Sequence, residues 1–405
     1  MNPSNRDRHT ALPEPDPLAS AHSARLLERV RSEIGANGGS ISFARFMDLA
    51  LYAPGLGYYQ AGSRKFGPGG DFVTAPELSP LFSRCLARQC REILLQTGGA
   101  ILELGAGTGV MAADILQELR ALGALPERYC ILELSGELRE RQRQTLERRT
   151  PESLERVRWL DALPESGFRG VVLGNEVLDA LPVERFRIAA DGPRRMMVAW
   201  SEADCATGAE DRLAWAEGAQ DAGVTETVAR IEADLGQRLP EGYTSEYAPQ
   251  LAAWIRAVAG SLAAGAALLI DYGYSRRDYY HPERSDGTLL CHYRHRVHAD
   301  PLRLPGLQDI TASVDFTAVA DAANAAGLTV AGYASQHYFL FGCGLMELLA
   351  QTDSADTVRY LDQVRQVKLL TLPGEMGERF KVIGLTRNLD APLCGFSFRD
   401  ERHRL

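Results

Sequence analysis

Residues 101–116 read ILELGAGTGVMAADIL. A short apolar run contains an acid, Glu103. Glycine then takes alternate positions, Gly105, Gly107 and Gly109, before a stretch with helical spacing. A strand, a glycine turn and a helix bring backbone and a helix N-terminus against a ligand, because glycine lacks the Cβ that obstructs a tight turn. A nucleoside triphosphate loop needs GxxxxGK[ST], and no Lys follows here. A dinucleotide turn needs G-x-G-x-x-G, but Val110 stands where the third glycine belongs and Gly109 comes one residue early. What remains is acid-x-Gly-x-Gly-x-Gly. That pattern suits S-adenosylmethionine, whose ammonium and sulfonium attract a carboxylate that would repel a pyrophosphate. A purely structural glycine turn is the alternative.

A second acid, Glu133, closes the following strand, where an acid of a doubly wound sheet accepts hydrogen bonds from both ribose hydroxyls. NAD and S-adenosylmethionine both satisfy that position. A third, Asp161, either meets an adenine amino group or is a simple turn residue.

The elements that must hold these acids alternate along the chain. AILELG, YCILELS, ERVRWLD and FRGVVLGNE read as strands; GVMAADILQELRAL and GELRERQRQTLERR read as amphipathic helices, and VLDAL as a short one. A long helix over SEYAPQLAAWIRAVAGSLAAG, the strand AALLIDYGY, the helix FTAVADAANAAG and the strands LTVAGYASQ and GERFKVIGLTR follow. Apolar strands between amphipathic helices indicate an α/β fold, a parallel sheet covered on both faces. Residues 183–244 change character, with short β-like pieces separated by Asp, Gly and Pro, and read as an antiparallel β insertion. Residues 22–98 form an N-terminal helical cap, with a helix expected in SISFARFMDLALY and Ser40 or Ser42 as its N-cap. The glycine- and proline-rich loop at 53–80 is too long for a passive connector and reads as a lid, with Asp71, Thr74 and Glu77 as its polar contacts to the cofactor. The expected division is therefore a disordered tail at 1–21, the cap and lid at 22–98, core halves at 99–182 and 245–390 around the insertion at 183–244, and a C-terminal tail at 391–405.

Bulk properties narrow the function classes. The 405 residues are 45% hydrophobic and 24% charged, as in an ordinary globular protein with a large core. A net charge of −9 argues against a nucleic-acid partner. Seven scattered cysteines without a CxxC argue for a reducing compartment and against a structural zinc site. His292, His295 and His298 recur at every third residue, but no thiolate or carboxylate joins their spacing; a solvated loop or a substrate-contacting His295 is the expectation, and no metal. No apolar run reaches membrane-spanning length, and the first twenty residues resemble neither a signal nor a transit peptide, so membrane insertion is not expected and a cytoplasmic location is.

Longer stretches then carry a resemblance. GDFVTAPELSPLFS (70–83), ILELGAGTG (101–109), YCILELSGELRERQ (129–142), LGNEVLDALPVERF (173–186), SEYAPQL (245–251), LIDYGY (269–274), GTLLCHYRHRV (287–297), GLQDITASVDFT (306–317) and FKVIG (380–384) occur in that order. In these the chain resembles the MidA family of class I S-adenosylmethionine-dependent methyltransferases, over roughly residues 24–388. The resemblance implies a Rossmann-like seven-stranded sheet whose last strand is antiparallel. The family's eukaryotic members are mitochondrial complex I assembly factors that methylate a protein arginine, which implies a protein substrate and, as a candidate, a complex I subunit.

An arginine acceptor makes a particular demand. Guanidinium stays protonated at physiological pH, so acids must hold it and draw its charge to the far nitrogens while a lone pair is freed near the methyl. Such acids belong at strand C-terminal ends, where ligands bind in these sheets. GNEVLDALP offers Asn175 toward the cofactor, and Glu176 and Asp179, which share a face of the expected short helix. Decoration of a helix N-terminus is the alternative for these two. Asp271, with Tyr272, ends AALLI and is read as functional in preference to a loop cap. For Glu246 and Tyr247, at the start of the expected long helix, capping competes evenly with a substrate role. Two rivals stand beside arginine methylation: methyl transfer to a small-molecule or non-arginine acceptor, and a non-catalytic assembly chaperone that binds the cofactor.

Overall fold

The computed structural model describes residues 12–60, 73–202, 212–352 and 356–405. It divides into two compact units, one from Met1–Phe72, Met196–Gly218 and Leu289–Thr311, the other from Val73–Arg195, Ala219–Thr288 and Ala312–Leu405.

The second unit holds the sheet. Its strands are β1 (Ala100–Leu104), β2 (Tyr129–Leu132), β3 (Val157–Leu160), β4 (Phe168–Asn175), β5 (Leu262–Tyr274), β6 (Thr329–Ser335) and β7 (Phe380–Arg387). They lie in the order β6-β7-β5-β4-β1-β2-β3. All run parallel except β7, which is antiparallel to β5 and β6. The strand order reverses beside β1, which opens a crevice at the carboxyl ends of β1 and β4.

Alternate residues of each strand feed different cores, as a period of two demands. Ile101, Val171, Leu268 and Val382 face helices α1 (Pro80–Thr97) and α2 (Val110–Ala121). Their neighbours Leu102, Val172, Leu269 and Ile383 face helices α4 (Leu251–Ser261) and α5 (Phe316–Ala325). Helix α3 (Gly136–Arg149) follows β2, capped by Ser135, whose hydroxyl accepts from Leu138 N–H. Val314–Asp315 pairs parallel with the end of β5, and the seven main strands, with β7 antiparallel, form the sheet that the resemblance implies.

The first unit contains the helix Pro17–Ala36, whose Asp16 carboxylate accepts from the amides of Leu18 and Ala19. Helical order thus begins at Pro17, not at His22, because Asp16-Pro17 supplies both a cap and a proline at the first helical position. Ser42 caps Phe43–Tyr52. Ser40–Ser42 and Arg212–Glu217 pair antiparallel with Met196–Ser201. Leu290–Tyr293, Arg296–His298 and Asp309–Thr311 form a three-stranded sheet.

Three local readings need correction. VLDAL is a turn, not a helix: its amides at Leu178 and Asp179 are taken by the Asp271 carboxylate at 2.9 and 3.2 Å. The helix expected from Ser245 begins only at Leu251. Thr244–Tyr247 is a strand paired antiparallel with Glu184–Arg187, and Pro249 steers the residue before it away from helical backbone. Within 183–244, residues Ala222–Leu235 form a helix, capped by Asp221 at one end and by left-handed Gly236 at the other.

Candidate cofactor and acceptor site

β1 delivers Glu103 and the glycine turn to the crevice. Gly105, Gly107 and Gly109 have φ of 66°, 53° and 82°, the left-handed region that side chains other than glycine rarely occupy. Gly105 N–H donates to Leu132 O at 3.0 Å, tying the turn to β2. Gly109 is the N-cap of α2. Among the described residues, no atom lies within 4 Å of where a Gly107 side chain would begin, so this backbone is open to a ligand. From below, the Thr108 hydroxyl donates to Glu77, in the helix Ala75–Leu78 that Thr74 introduces.

Glu103 is buried, and its Oε2 accepts from the Tyr129 hydroxyl at 2.6 Å. Loss of water is the main reason its carboxyl is pushed up to about 7; the Tyr129 bond opposes the shift and the Glu133 charge adds to it. Glu133 is buried at the end of β2 and also raised by desolvation. Its Oε1 accepts from Ser135 N–H at 2.9 Å and its Oε2 from the Gln142 amide at 3.0 Å.

Gln142 joins the site without being singled out by the sequence pattern. It is fully buried on α3, its amide also donates to Gly107 O at 3.1 Å, and its carbonyl accepts from the Trp159 indole at 2.9 Å. One side chain therefore braces the glycine turn, the acid after β2 and a residue of β3. Its place inside YCILELSGELRERQ was the available signal, but a polar residue on a helix carries no mark of facing inward.

Asp161 is 87% exposed and pairs with Arg139 at 2.6 Å. The same guanidinium donates to Glu133 O and Leu160 O, holding the ends of β2 and β3 together.

At the ends of β4 and β5 the structure gathers Asn175, Glu176, Asp179 and Asp271. Glu176 has φ of 53°, and its N–H donates to Ile270 O at 2.8 Å, so the chain turns sharply as it leaves β4. Asn175 donates to Glu176 Oε1 at 3.0 Å, while the buried Asn175 Oδ1 has no hydrogen-bond partner among the described residues. Asp271 is fully buried, and besides Leu178 and Asp179 it accepts from Tyr272 N–H at 2.9 Å. Burial first, then the charges of Asp179 and Glu176, hold its carboxyl well above the usual range. Asp179 is pushed up to about 6, chiefly by burial, with a hydrogen bond from the Tyr272 side chain opposing the shift. Glu176 alone of these three carboxylates is partly exposed.

Glu246 lies in a separate pocket of side chains. Its Oε1 accepts from Thr288, from both N–H and hydroxyl, and from the Tyr279 hydroxyl at 3.4 Å. Its buried Oε2 has no hydrogen-bond partner among the described residues and stands where a side chain on Gly287, at φ 76°, would begin. A short backbone stretch links the two groups: Ala312 N–H donates to Asp179 O and Ser313 N–H to the Thr288 hydroxyl, both at 3.0 Å.

In the first unit, Arg294 and His295 form the turn of the hairpin between His292 and His298. Among the described residues, no group of three or more His, Cys, Asp or Glu is arranged to hold a metal ion, and no helix is long and apolar enough to cross a membrane. Asp71 lies outside the described residues.

Comparison with known proteins decides the class. Residues 85–334, more than half of the chain, match the model of the Methyltransf_28 family of S-adenosyl-L-methionine-dependent methyltransferases. The chain belongs to this family. The methyltransferase is 45% identical to a COG1565 superfamily protein from Burkholderia thailandensis whose crystal structure holds S-adenosyl-homocysteine; the likeness spans 98% of this chain and 100% of that one, with a TM-score of 0.91. It is also similar to the protein arginine methyltransferase NDUFAF7, mitochondrial, of Danio rerio (28% identical, covering 90% of this chain and 87% of the relative) and of Rattus norvegicus (29%, 91% and 86%). S-adenosylmethionine is its cofactor. The residues present fit that group: open backbone at Gly107, two acids at the ends of β1 and β2, and an orphaned acceptor on Asn175.

Proposed function

We propose that this methyltransferase modifies an arginine side chain of a partner protein, with a respiratory complex I subunit as the candidate acceptor. The observation that carries the reading is the convergence of Glu176, Asp179 and Asp271 on the ends of β4 and β5, three carboxylates whose mutual repulsion a guanidinium relieves. The similarity to the NDUFAF7 protein arginine methyltransferases supports it.

Glu103 and Glu133 would hold the cofactor, with Asn175 beside them and Thr74 and Glu77 below the glycine turn. Once bound, it supplies a methyl group on a sulfonium. The protein's own part is alignment. Glu176, exposed enough to be reached, would accept from the guanidinium and keep its charge on the nitrogens away from the methyl. Asp271 is a positioning residue in this scheme: buried and bonded to three backbone amides, it sets the turn that aims Glu176. Asp179 adds negative charge, and Glu246 fixes Thr288 and, through Ser313, the backbone beside Asp179.

The test is transfer of labelled methyl from S-adenosylmethionine into a lysate of a strain lacking the protein, followed by mass spectrometry of the modified residue. Label on an arginine of a complex I subunit is the expected result. Label confined to a metabolite would sink the arginine reading.

A further inference from the structure

Four of the cysteines converge on the outer side of α1, away from any role proposed above. Cys85 and Cys90 lie on α1 itself, fully buried; Cys343 follows the helix Gln336–Gly342; Cys394 begins the short turn Cys394–Phe396. Cys343 and Cys394 line the same groove of about 720 Å³, together with Arg88, Arg91 and Glu92. Of the four, Cys394 alone is partly open to solvent.

The two backbones that carry this pair are held rigidly. The Gln89 side-chain Oε1 accepts from Gly395 N–H at 2.8 Å and from the Cys394 thiol at 3.5 Å, while Glu92 Oε2 accepts from Cys394 N–H at 2.8 Å. The Phe396 ring meets Phe339 edge-on at 5.4 Å, anchoring the turn's far end. On the other side, Arg88 donates to the carbonyls of Cys343 and Gly344 at 3.4 and 3.1 Å. The segments press together: a side chain on Gly342 would begin 2.6 Å from Cys394 O. Burial first, and the neighbouring Cys394 thiol second, hold the Cys343 thiol well above its usual range.

We propose that Cys394 is a site of oxidation by hydroperoxides and that Cys343 resolves it to an intramolecular disulfide. The Cys394 thiolate attacks the peroxide O–O bond; its sulfur takes one oxygen as sulfenic acid, and the other leaves as water or alcohol. The Cys343 sulfur then attacks the sulfenic sulfur and gives up its proton as the S–S bond forms, and the sulfenic hydroxyl departs with that proton as water. Two thiols and one hydrogen peroxide become one disulfide and two waters. Exposure selects Cys394 as the first thiol to react, and the packed segments place Cys343 beside it on the same groove as the second. The bond would join segments about fifty residues apart in sequence, so it also raises the unfolding temperature.

The experiment treats the full-length protein with a small excess of hydrogen peroxide, alkylates remaining thiols and maps unreduced peptides by mass spectrometry. A Cys343–Cys394 linked peptide is expected, with Cys85 and Cys90 alkylated only after denaturation and a higher melting temperature that dithiothreitol reverses. In Cys343→Ser, Cys394 should stop at a sulfenic acid that dimedone traps; in Cys394→Ser, Cys343 should stay reduced. Oxidation of Cys130 with Cys394 untouched overturns the proposal, as does a linkage of Cys394 to Cys85 or Cys90. The wild-type map decides the matter even if a variant fails to fold.

Discussion

Burial has taken Glu103 out of water, with the Tyr129 hydroxyl on its Oε2, and its carboxyl is raised from 4.5 to about 7. A carboxyl whose folded-state value lies above its unfolded one contributes stability that is complete below the unfolded value and lost as pH rises through the folded one. The window here runs from about 4.5 to about 7. Glu103→Gln keeps an acceptor for Tyr129 and has nothing to titrate. Urea unfolding should therefore find the two proteins alike at pH 4 and the variant more stable at pH 8, by up to about 3 kcal/mol. An equal gap at both pH values would mean packing, not charge. Calorimetry at pH 8 should also show weaker S-adenosylhomocysteine binding to the variant. Glu176 and Asp271 separate differently. Glu176→Gln should lower methyl transfer on the order of 10²-fold and leave S-adenosylhomocysteine affinity within about twofold. Asp271→Asn removes a buried acceptor from backbone amides, so at pH 4, where relief of the raised carboxyl does not offset the loss, it should cost about 1–3 kcal/mol in unfolding. If Asp271→Asn folds with unchanged stability, it does not organise the turn.

The glycine turn and the strands behind it were legible in sequence, because each depends on local rules: apolar strands, a helix start, and positions where only glycine tolerates positive φ. What escaped depends on partners far along the chain. Nothing near VLDAL says that Asp271 will take its amides, and nothing near SEYAP says that Glu184–Arg187 will pair with it. The helix Ala222–Leu235 did carry its signals, Asp221 before and Gly236 after, but the β-like pieces upstream masked them. Gln142 shows the same limit at the site: its three contacts come from β1's turn, β2's end and β3. That brace makes an element-scale prediction. Ala at Gly107 or Gly109 should each cost about 1–2 kcal/mol for left-handed backbone. A Gly109 side chain would begin 3.0 Å from Gln142 Cα, whereas one at Gly107 meets open space. Gly109→Ala should thus shift Trp159 fluorescence in the free protein. Gly107→Ala should leave the emission unchanged and lose cofactor affinity instead.

At the scale of the whole chain, binding at the β1–β4 crevice is linked to folding. S-adenosylhomocysteine at one hundred times its Kd should stabilise the protein by about 2.7 kcal/mol, visible as a higher melting temperature. NADH at the same concentration should leave the midpoint where it was; a rise with NADH alone would contradict the assignment of the glycine turn. The order of the strands has a different consequence, during synthesis. β4 ends at Asn175, but the strand that covers its outer edge, β5, starts only at Leu262, and β7, which covers β5 in turn, starts at Phe380. At about 5–20 residues per second, the ribosome needs roughly 5–20 s to supply β5 after β4 has emerged. For that interval Val171, Val172 and Leu173 sit on an unpaired parallel edge, the kind of surface that recruits other chains. The nascent protein should need chaperone protection most in that window, and a ribosome stalled between β4 and β5 should yield the stickiest intermediate.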